Sequence, residues 1–227
     1  MKLSVIMPVY NEKDTIEEIV KKVEAVNLSK EIIIIDDYSN DGTREIIEEK
    51  INQKNVIKLF HPENRGKGSA IRTGIEKASG DIIIIQDADL EYSPEDYYKL
   101  TKPIMEGSAS VVYGSRILQS SYKISYLRYF LGGRFLTFLT NILYGSHITD
   151  EPTCYKVFKA EVIKSINLKC KRFEFCPEVT AKVLKKGYKI LEFPISYSPR
   201  KMEEGKKINW KDGLQAIWTL VKYRFVD

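Results

Sequence analysis

Strand-like and helix-like hydrophobic patterns alternate from the N-terminus to Gly114. Leu3–Val9 reads as a first strand. Asp14, with Glu17 three residues on, fits a capping box and predicts a helix there. Ile32–Ile35 is a run of β-branched residues ending in Asp36-Asp37, the pattern of a short strand buried on both faces. Gly42–Ile51 predicts a helix and Val56–Phe60 a third strand. Gly68–Ala78 predicts a helix reached through a glycine-rich loop. Ile82–Ile85 repeats the buried-strand pattern, Pro94–Met105 reads as a helix with proline in its first turn, and Val111–Gly114 as a fifth strand. Such βαβα alternation predicts an α/β fold, a mostly parallel sheet flanked by helices.

Past Gly114 the pattern changes. Residues 124–144 are dense in aromatic and aliphatic side chains. A short strand at Tyr155–Phe158, a helix around Pro177–Lys186 and a strand at Lys189–Ile195 follow. The basic loop Pro199–Lys207 then leads to a last helix from about Lys211 to Phe225. Within 124–144, Tyr129, Phe130, Phe135, Phe138, Leu139 and Ile142 form a wide apolar face interrupted by Arg128 and Arg134. Such a helix lies either in a membrane interface, arginines towards headgroups, or in a core or dimer contact, and composition alone favours the second. Gly132-Gly133 weakens the helix and is a place for it to break.

A chain of 227 residues has room for one α/β domain, here 1–227 with a change of character near 116 and 117. Its net charge of +5 suits phosphate-bearing substrates or an anionic membrane face and does not demand nucleic acid. Zinc-ligand spacing and an RNA-binding aromatic motif are both missing, which leaves a nucleic-acid role with little support. Cys154, Cys170 and Cys176 are odd in number and lack metal spacing, as expected of reduced cytosolic thiols. The sequence shows neither a signal-peptide pattern nor an uncharged apolar run near the ~20 residues that span a bilayer. The expectation is a cytoplasmic chain that meets a membrane only from its cytoplasmic face.

Chemistry gathers at the strand ends. Asp87-Ala88-Asp89 follows Ile82–Ile85 and Gln86, so both carboxylates emerge at the carboxyl end of a strand, where open α/β sheets bind ligands. Spaced i, i+2, they can reach one divalent cation, and hard oxygen ligands favour Mg²⁺ or Mn²⁺ bridging to substrate phosphate. Taken alone, an Asp-x-Asp is most often a solvated turn. Glu12 follows the first strand and Asp36 and Asp37 the second, so side-by-side strands would bring all these acids to one crevice. Asn64-Arg65-Gly66-Lys67-Gly68-Ser69 is neither a Walker A nor a Gly-x-Gly-x-x-Gly motif. Its glycines and the helix start after them offer backbone N–H groups to an anion, or form a simple turn. Arg116 after the fifth strand and Arg200, Lys201, Lys206 and Lys207 in the basic loop are cations for a diphosphate or an acceptor phosphate, or solvated charge.

Together these stretches resemble glycosyltransferase family 2, and within it the dolichol-phosphate mannose synthases and bacterial polyprenyl-phosphate hexosyltransferases. The matching residues are Val5-Ile6-Met7-Pro8-Val9-Tyr10-Asn11-Glu12, Ile35 through Thr43, Asn64 through Gly68, Asp87 through Glu91, Gly114-Ser115-Arg116, Asp150 through Phe158, Phe173 through Glu178, and Arg200 with Gly205 through Ile208. The resemblance implies a GT-A-type fold with amphipathic interfacial helices, residues 1–116 binding a nucleotide sugar and 117–227 facing acceptor and membrane. It implies a donor pocket from Pro8, Tyr10, Glu12, Asp37, Lys67 and Gln86, and Mg²⁺ or Mn²⁺ on Asp87 and Asp89, with Glu91 able to add a third ligand. Arg116, Arg200, Lys207 and one of Arg128 or Arg134 would serve the donor diphosphate and the lipid phosphate. The implied activity is transfer of a hexose from a GDP- or UDP-linked donor to a lipid phosphate. A hydroxyl acceptor would need a general base, for which Asp150 is the candidate and Glu178 a weaker one. A nucleotide-sugar-binding or membrane-scaffold protein without turnover is the reading from another class, and the intact Asp87/Asp89 pair argues against it. Two departures stand out: Cys154 occupies a position where many relatives carry glycine, and no transmembrane segment follows Phe225. Action at a membrane would then be peripheral or through a membrane partner protein.

Overall fold

The computed structural model describes residues 1–119, 126–200 and 210–226. The chain runs β1 (Leu3–Val9), α1 (Ile16–Ala25), β2 (Lys30–Asp36), α2 (Thr43–Lys50), β3 (Val56–Phe60), α3 (Lys67–Lys77), β4 (Ile82–Ile85), α4 (Tyr97–Met105) and β5 (Val111–Ser115). The second half adds α5 (Leu127–Tyr144), β6 (Lys156–Lys159), α6 (Ala160–Lys164), α7 (Phe175–Lys185), β7 (Ile190–Pro194) and α8 (Trp210–Phe225). Among the described residues these strands form one seven-stranded sheet in the order β3-β2-β1-β4-β6-β5-β7.

β1, β2, β3 and β4 pair in parallel, so their carboxyl ends share one edge. Every residue of β1 and β4 is buried, because helices cover both faces of the sheet. α3 lies so close to β1 that a Cβ on Gly74 would fall 2.4 Å from Ile6 Cγ2. α1 turns Ile16, Ile19, Val20 and Val23 inward, while Glu17–Lys21 and Glu18–Lys22 pair on its outer face.

Several sequence expectations need correction. α1 starts after Thr15, whose hydroxyl donates to Glu12, and no Asp14 cap forms. Gly42 stands outside α2 in a left-handed conformation. Pro94 opens a short 3₁₀ turn, Pro94–Asp96, ahead of α4. β6 runs antiparallel between β4 and β5, a non-local pairing that no local pattern announces. α5 is continuous through Gly132-Gly133. The small side chains let the helix settle on the following loop, where a Cβ on Gly133 would meet Pro152 at 3.3 Å.

The sheet is tied at its base by Glu31. Its buried carboxylate accepts from Lys2 Nζ (2.6 Å), Ser4 Oγ (2.6 Å), and Ser79 N and Oγ (2.7 Å each). Burial alone would raise its pKa, but these donors override that and bring the carboxyl down to about 2. A depressed acid stabilises the fold above its ordinary pKa of 4.5, and the contribution disappears as pH falls towards 2. Glu31→Gln is therefore expected to cost ~1–3 kcal/mol at pH 7. Urea melts at pH 7 and pH 3 should show the difference shrinking at the lower pH.

Candidate active site

The strand ends of β1, β2 and β4 open into a cleft of about 1180 Å³. Pro8, Tyr10, Glu12, Asp37, Lys67, Asp87, Asp89, Glu91, Arg116, Arg128, Arg134, Asp150 and Arg200 all line it. The predicted convergence holds for Glu12, Asp37, Asp87 and Asp89, because β1 lies next to both β2 and β4, the arrangement that puts a crevice where strand order reverses; Asp36 does not line the cleft and is buried against Arg44 at 2.8 Å.

Cations already sit on these acids. Lys67 Nζ lies 2.6 and 2.7 Å from the two Asp87 oxygens. The Arg200 guanidinium bridges Glu12, at 2.9 and 3.1 Å, and Asp89, at 3.0 Å. Arg200 also donates its backbone N–H to Glu91 at 2.8 Å, and Tyr197 donates its hydroxyl to the other Glu91 oxygen at 3.4 Å. Burial raises the Asp89 pKa, and the charges of Asp87 and Glu91 push it further. Arg200 only partly offsets them, so the carboxyl is pushed up to about 7.

Asp87 and Asp89 are hard oxygen donors two residues apart at a strand end, a set that fits Mg²⁺ or Mn²⁺ shared with substrate phosphates. Among the described residues, three acid, histidine or cysteine side chains do not converge to close around an ion. Glu91 itself accepts from the Arg200 N–H and the Tyr197 hydroxyl.

The glycine-rich loop is held against the protein itself. The Arg65 and Gly66 N–H groups donate to the Asp37 carboxylate at 2.9 and 2.7 Å, and the Ser69 N–H to the Lys171 carbonyl at 3.0 Å. Gly66, at φ +88°, is needed because a Cβ there would fall 2.4 Å from that carbonyl oxygen. Asp37 therefore anchors this loop at the rim, helped by His61 Nδ1 at 2.7 Å. His61 went unnoticed in the sequence, where a lone histidine just past β3 carries no pattern.

Gln86 does not line the cleft. It is buried beneath it, where Tyr97 and Tyr155 donate to its Oε1 and its Nε2 donates to the Asp87 carbonyl, which fixes the turn that presents Asp87. Cys154 is buried at the cleft wall with its thiol 3.8 Å from the Ile85 carbonyl. Lys201, Lys206 and Lys207 lie outside the described residues.

Arg116 and Asp150 form the second electrostatic unit. Arg116 donates through Nε and Nη2 to the two Asp150 oxygens at 2.8 Å each, and through its backbone N–H at 2.9 Å. Burial works against ionisation of Asp150, but Arg116 overrides it and holds the carboxyl below the usual range. The loop carrying Asp150 is clamped by Glu192 of β7, which accepts from the Thr149 and Asp150 N–H groups. Arg116 also lies over the Tyr197 ring, 5.2 Å from its centroid. Glu178 does not line the cleft, and its Oε1 is taken by Lys182 and the Lys169 N–H.

On the second-half side the cleft is walled by α5 and α8. Arg134 donates to the Thr149 carbonyl at 3.0 Å, and Arg128 lies over the Tyr129 ring. Leu127, Leu131, Phe135, Phe138 and Ile142 of α5 and Trp210, Leu214 and Trp218 of α8 are all more than half exposed. No helix among the described residues is long and apolar enough to cross a membrane.

The sequence model of the family described as glycosyl transferase family 2 matches residues 4–166. The chain belongs to that family. It is 33% identical over 224 residues to the UDP-N-acetylglucosamine–dolichyl-phosphate N-acetylglucosaminyltransferase of Methanococcus voltae, covering 89% of each chain. To the dolichol-phosphate mannosyltransferase of Pyrococcus furiosus it is 29% identical over 212 residues, 91% of this chain and 59% of that one. Its fold is of GT-A type and superposes on glucosyl-3-phosphoglycerate synthase of Mycobacterium tuberculosis in complex with UDP. The TM-score is 0.78 at 17% identity, covering 100% of this chain and 81% of the other. The same synthase has also been solved with Mn²⁺, UDP-glucose and phosphoglyceric acid. This family 2 chain is thus a glycosyltransferase.

Proposed function

We propose that this enzyme moves a hexose, with inversion, from a nucleotide sugar to a polyprenyl or dolichyl phosphate at a membrane surface, using Mg²⁺ or Mn²⁺. One observation carries the reading: a single cleft reaches from the acidic strand ends, past Arg116, Arg128 and Arg134, to the exposed apolar side chains of α5 and α8. A donor diphosphate fits its acidic, metal-binding end, and an anionic head on an apolar chain fits the other.

Bound metal would screen the negative charge that develops on the departing nucleoside diphosphate. Arg116 and Arg200, held in place by Asp150 and by Glu12 with Asp89, would set fixed positive charge beside the phosphates. The acceptor phosphate, with a second pKa of roughly 6, is ionised at neutral pH and attacks the anomeric carbon without a general base. A hydroxyl acceptor would need one, and Asp150 is badly suited because Arg116 occupies both its oxygens. The dolichyl-phosphate relatives support a lipid phosphate acceptor. Among donors, the UDP-N-acetylglucosamine relative and the UDP-bound structural neighbour put UDP-linked sugars ahead of GDP-mannose.

The test is label transfer into an organic phase from UDP-N-acetylglucosamine, UDP-glucose or GDP-mannose, with polyprenyl phosphate and Mn²⁺ or Mg²⁺. Lipid label from one donor supports the reading. Metal-dependent donor hydrolysis without lipid label moves it to a hydroxyl acceptor. The apolar face makes a separate prediction: Phe138→Ser and Trp218→Ser, each removing an exposed aromatic, should weaken sedimentation with anionic lipid vesicles about tenfold each.

A further inference from the structure

Lys67 stands where a metal ion would approach Asp87. Its ammonium faces both carboxylate oxygens, at 2.6 and 2.7 Å, and the pair is mostly withdrawn from water, with the Lys67 side chain 24% exposed and Asp87 18%. A divalent ion on Asp87 needs the same lone pairs, so ammonium and metal compete. Around it the Arg65 and Gly66 N–H groups serve Asp37 and the Ser69 N–H serves Lys171. Displaced from Asp87, the ammonium is a positive charge at this rim that needs a new partner. Its flexible stem, rooted at the first residue of α3, keeps it within the cleft.

We propose that Lys67 couples metal to donor: it holds Asp87 until a divalent ion takes that carboxylate, and the released ammonium then grips the diphosphate of the nucleotide sugar. The inference rests on reading the cleft as a nucleoside-diphosphate site. It makes Lys67 a positioning residue that keeps metal affinity low until a diphosphate is there to receive the ammonium. Metal and nucleotide then bind with positive coupling, each tightening the other by the same factor.

The test is Mn²⁺ titration followed by the EPR signal of free Mn²⁺, with and without UDP or GDP, on wild type, Lys67→Met and Lys67→Arg. In wild type the preferred nucleotide should tighten Mn²⁺ about tenfold, within the usual range for coupled sites. In Lys67→Met, Mn²⁺ alone should bind about five- to tenfold more tightly, and the nucleotide effect should fall to about twofold. Lys67→Arg keeps the charge and offers a fork to Asp87, so Mn²⁺ alone should bind no better than to wild type. Metal affinity that fails to rise in Lys67→Met, or coupling that survives intact, overturns the inference. If Lys67→Met does not fold, tighter Mn²⁺ binding by Lys67→Arg than by wild type overturns it. Nucleotide that binds no form of the protein, wild type included, overturns the reading of the cleft itself.

Discussion

Asp89→Asn is expected to lower kcat/KM for transfer by about 10²–10³-fold while leaving the metal-free fold at least as stable as wild type. The two effects share one cause. Asp89 is held beside Asp87 and Glu91 at the mouth of β4, where a bound divalent ion would need the negative charge and the metal-free fold does not. Its carboxyl is pushed up to about 7, so the native state binds a proton more tightly than the unfolded chain does. Stability therefore falls as pH rises from about 4 through 7, and the cost is fully present above 7. Asparagine removes that cost and leaves Arg200 its partner Glu12. Thermal melts without metal should place Asp89→Asn at or above wild type at pH 8, with the margin narrowing at pH 5. A variant that keeps wild-type kcat/KM would remove Asp89 from the reaction.

Asp150→Ala should behave in the opposite way, losing activity and stability together. Arg116 is largely buried, and its guanidinium has Asp150 as its carboxylate partner. Removing that partner leaves a buried charge unpaired, at a cost of about 3–5 kcal/mol. For a chain of this size that lowers Tm by about 10 °C. The double variant Asp150→Ala with Arg116→Met should recover much of the stability and none of the activity. If Asp150 acted instead as a general base on a hydroxyl, the loss of activity would follow the acceptor's need for deprotonation, appearing with an alcohol acceptor and not with a phosphate.

The parts of this site that sequence could reveal are those written locally. The isoleucine runs of β2 and β4 are too apolar and too short for anything but strands buried on both faces, and Asp36, Asp37, Asp87 and Asp89 follow them directly. Parallel pairing then brings Asp37, Asp87 and Asp89 to one cleft, while Asp36 is buried against Arg44. What sequence hid depends on contacts between distant residues. Arg200 reaches Glu12 across 188 positions, and Lys67 reaches Asp87 across 20. Glu192 and Tyr197 look like ordinary residues of a strand and a loop until β7 pairs with β5 and sets them beside the Asp150 loop and Arg116. The resemblance places Gln86 in the donor pocket, whereas in the fold it lies beneath the cleft, its Oε1 accepting from Tyr97 and Tyr155. The loop at Gly66 and Gly68 reads as an anion cradle or a turn, and its close approach to the Lys171 backbone shows only in the fold.

The most direct test offers the best donor, with Mn²⁺, to two acceptors that differ only in their head: a polyprenyl phosphate and the corresponding polyprenol. The expected result is metal-dependent transfer to the phosphate, abolished in Asp89→Asn, and none to the alcohol. Efficient transfer to the alcohol, or equal transfer to both, would contradict a site that works without a general base.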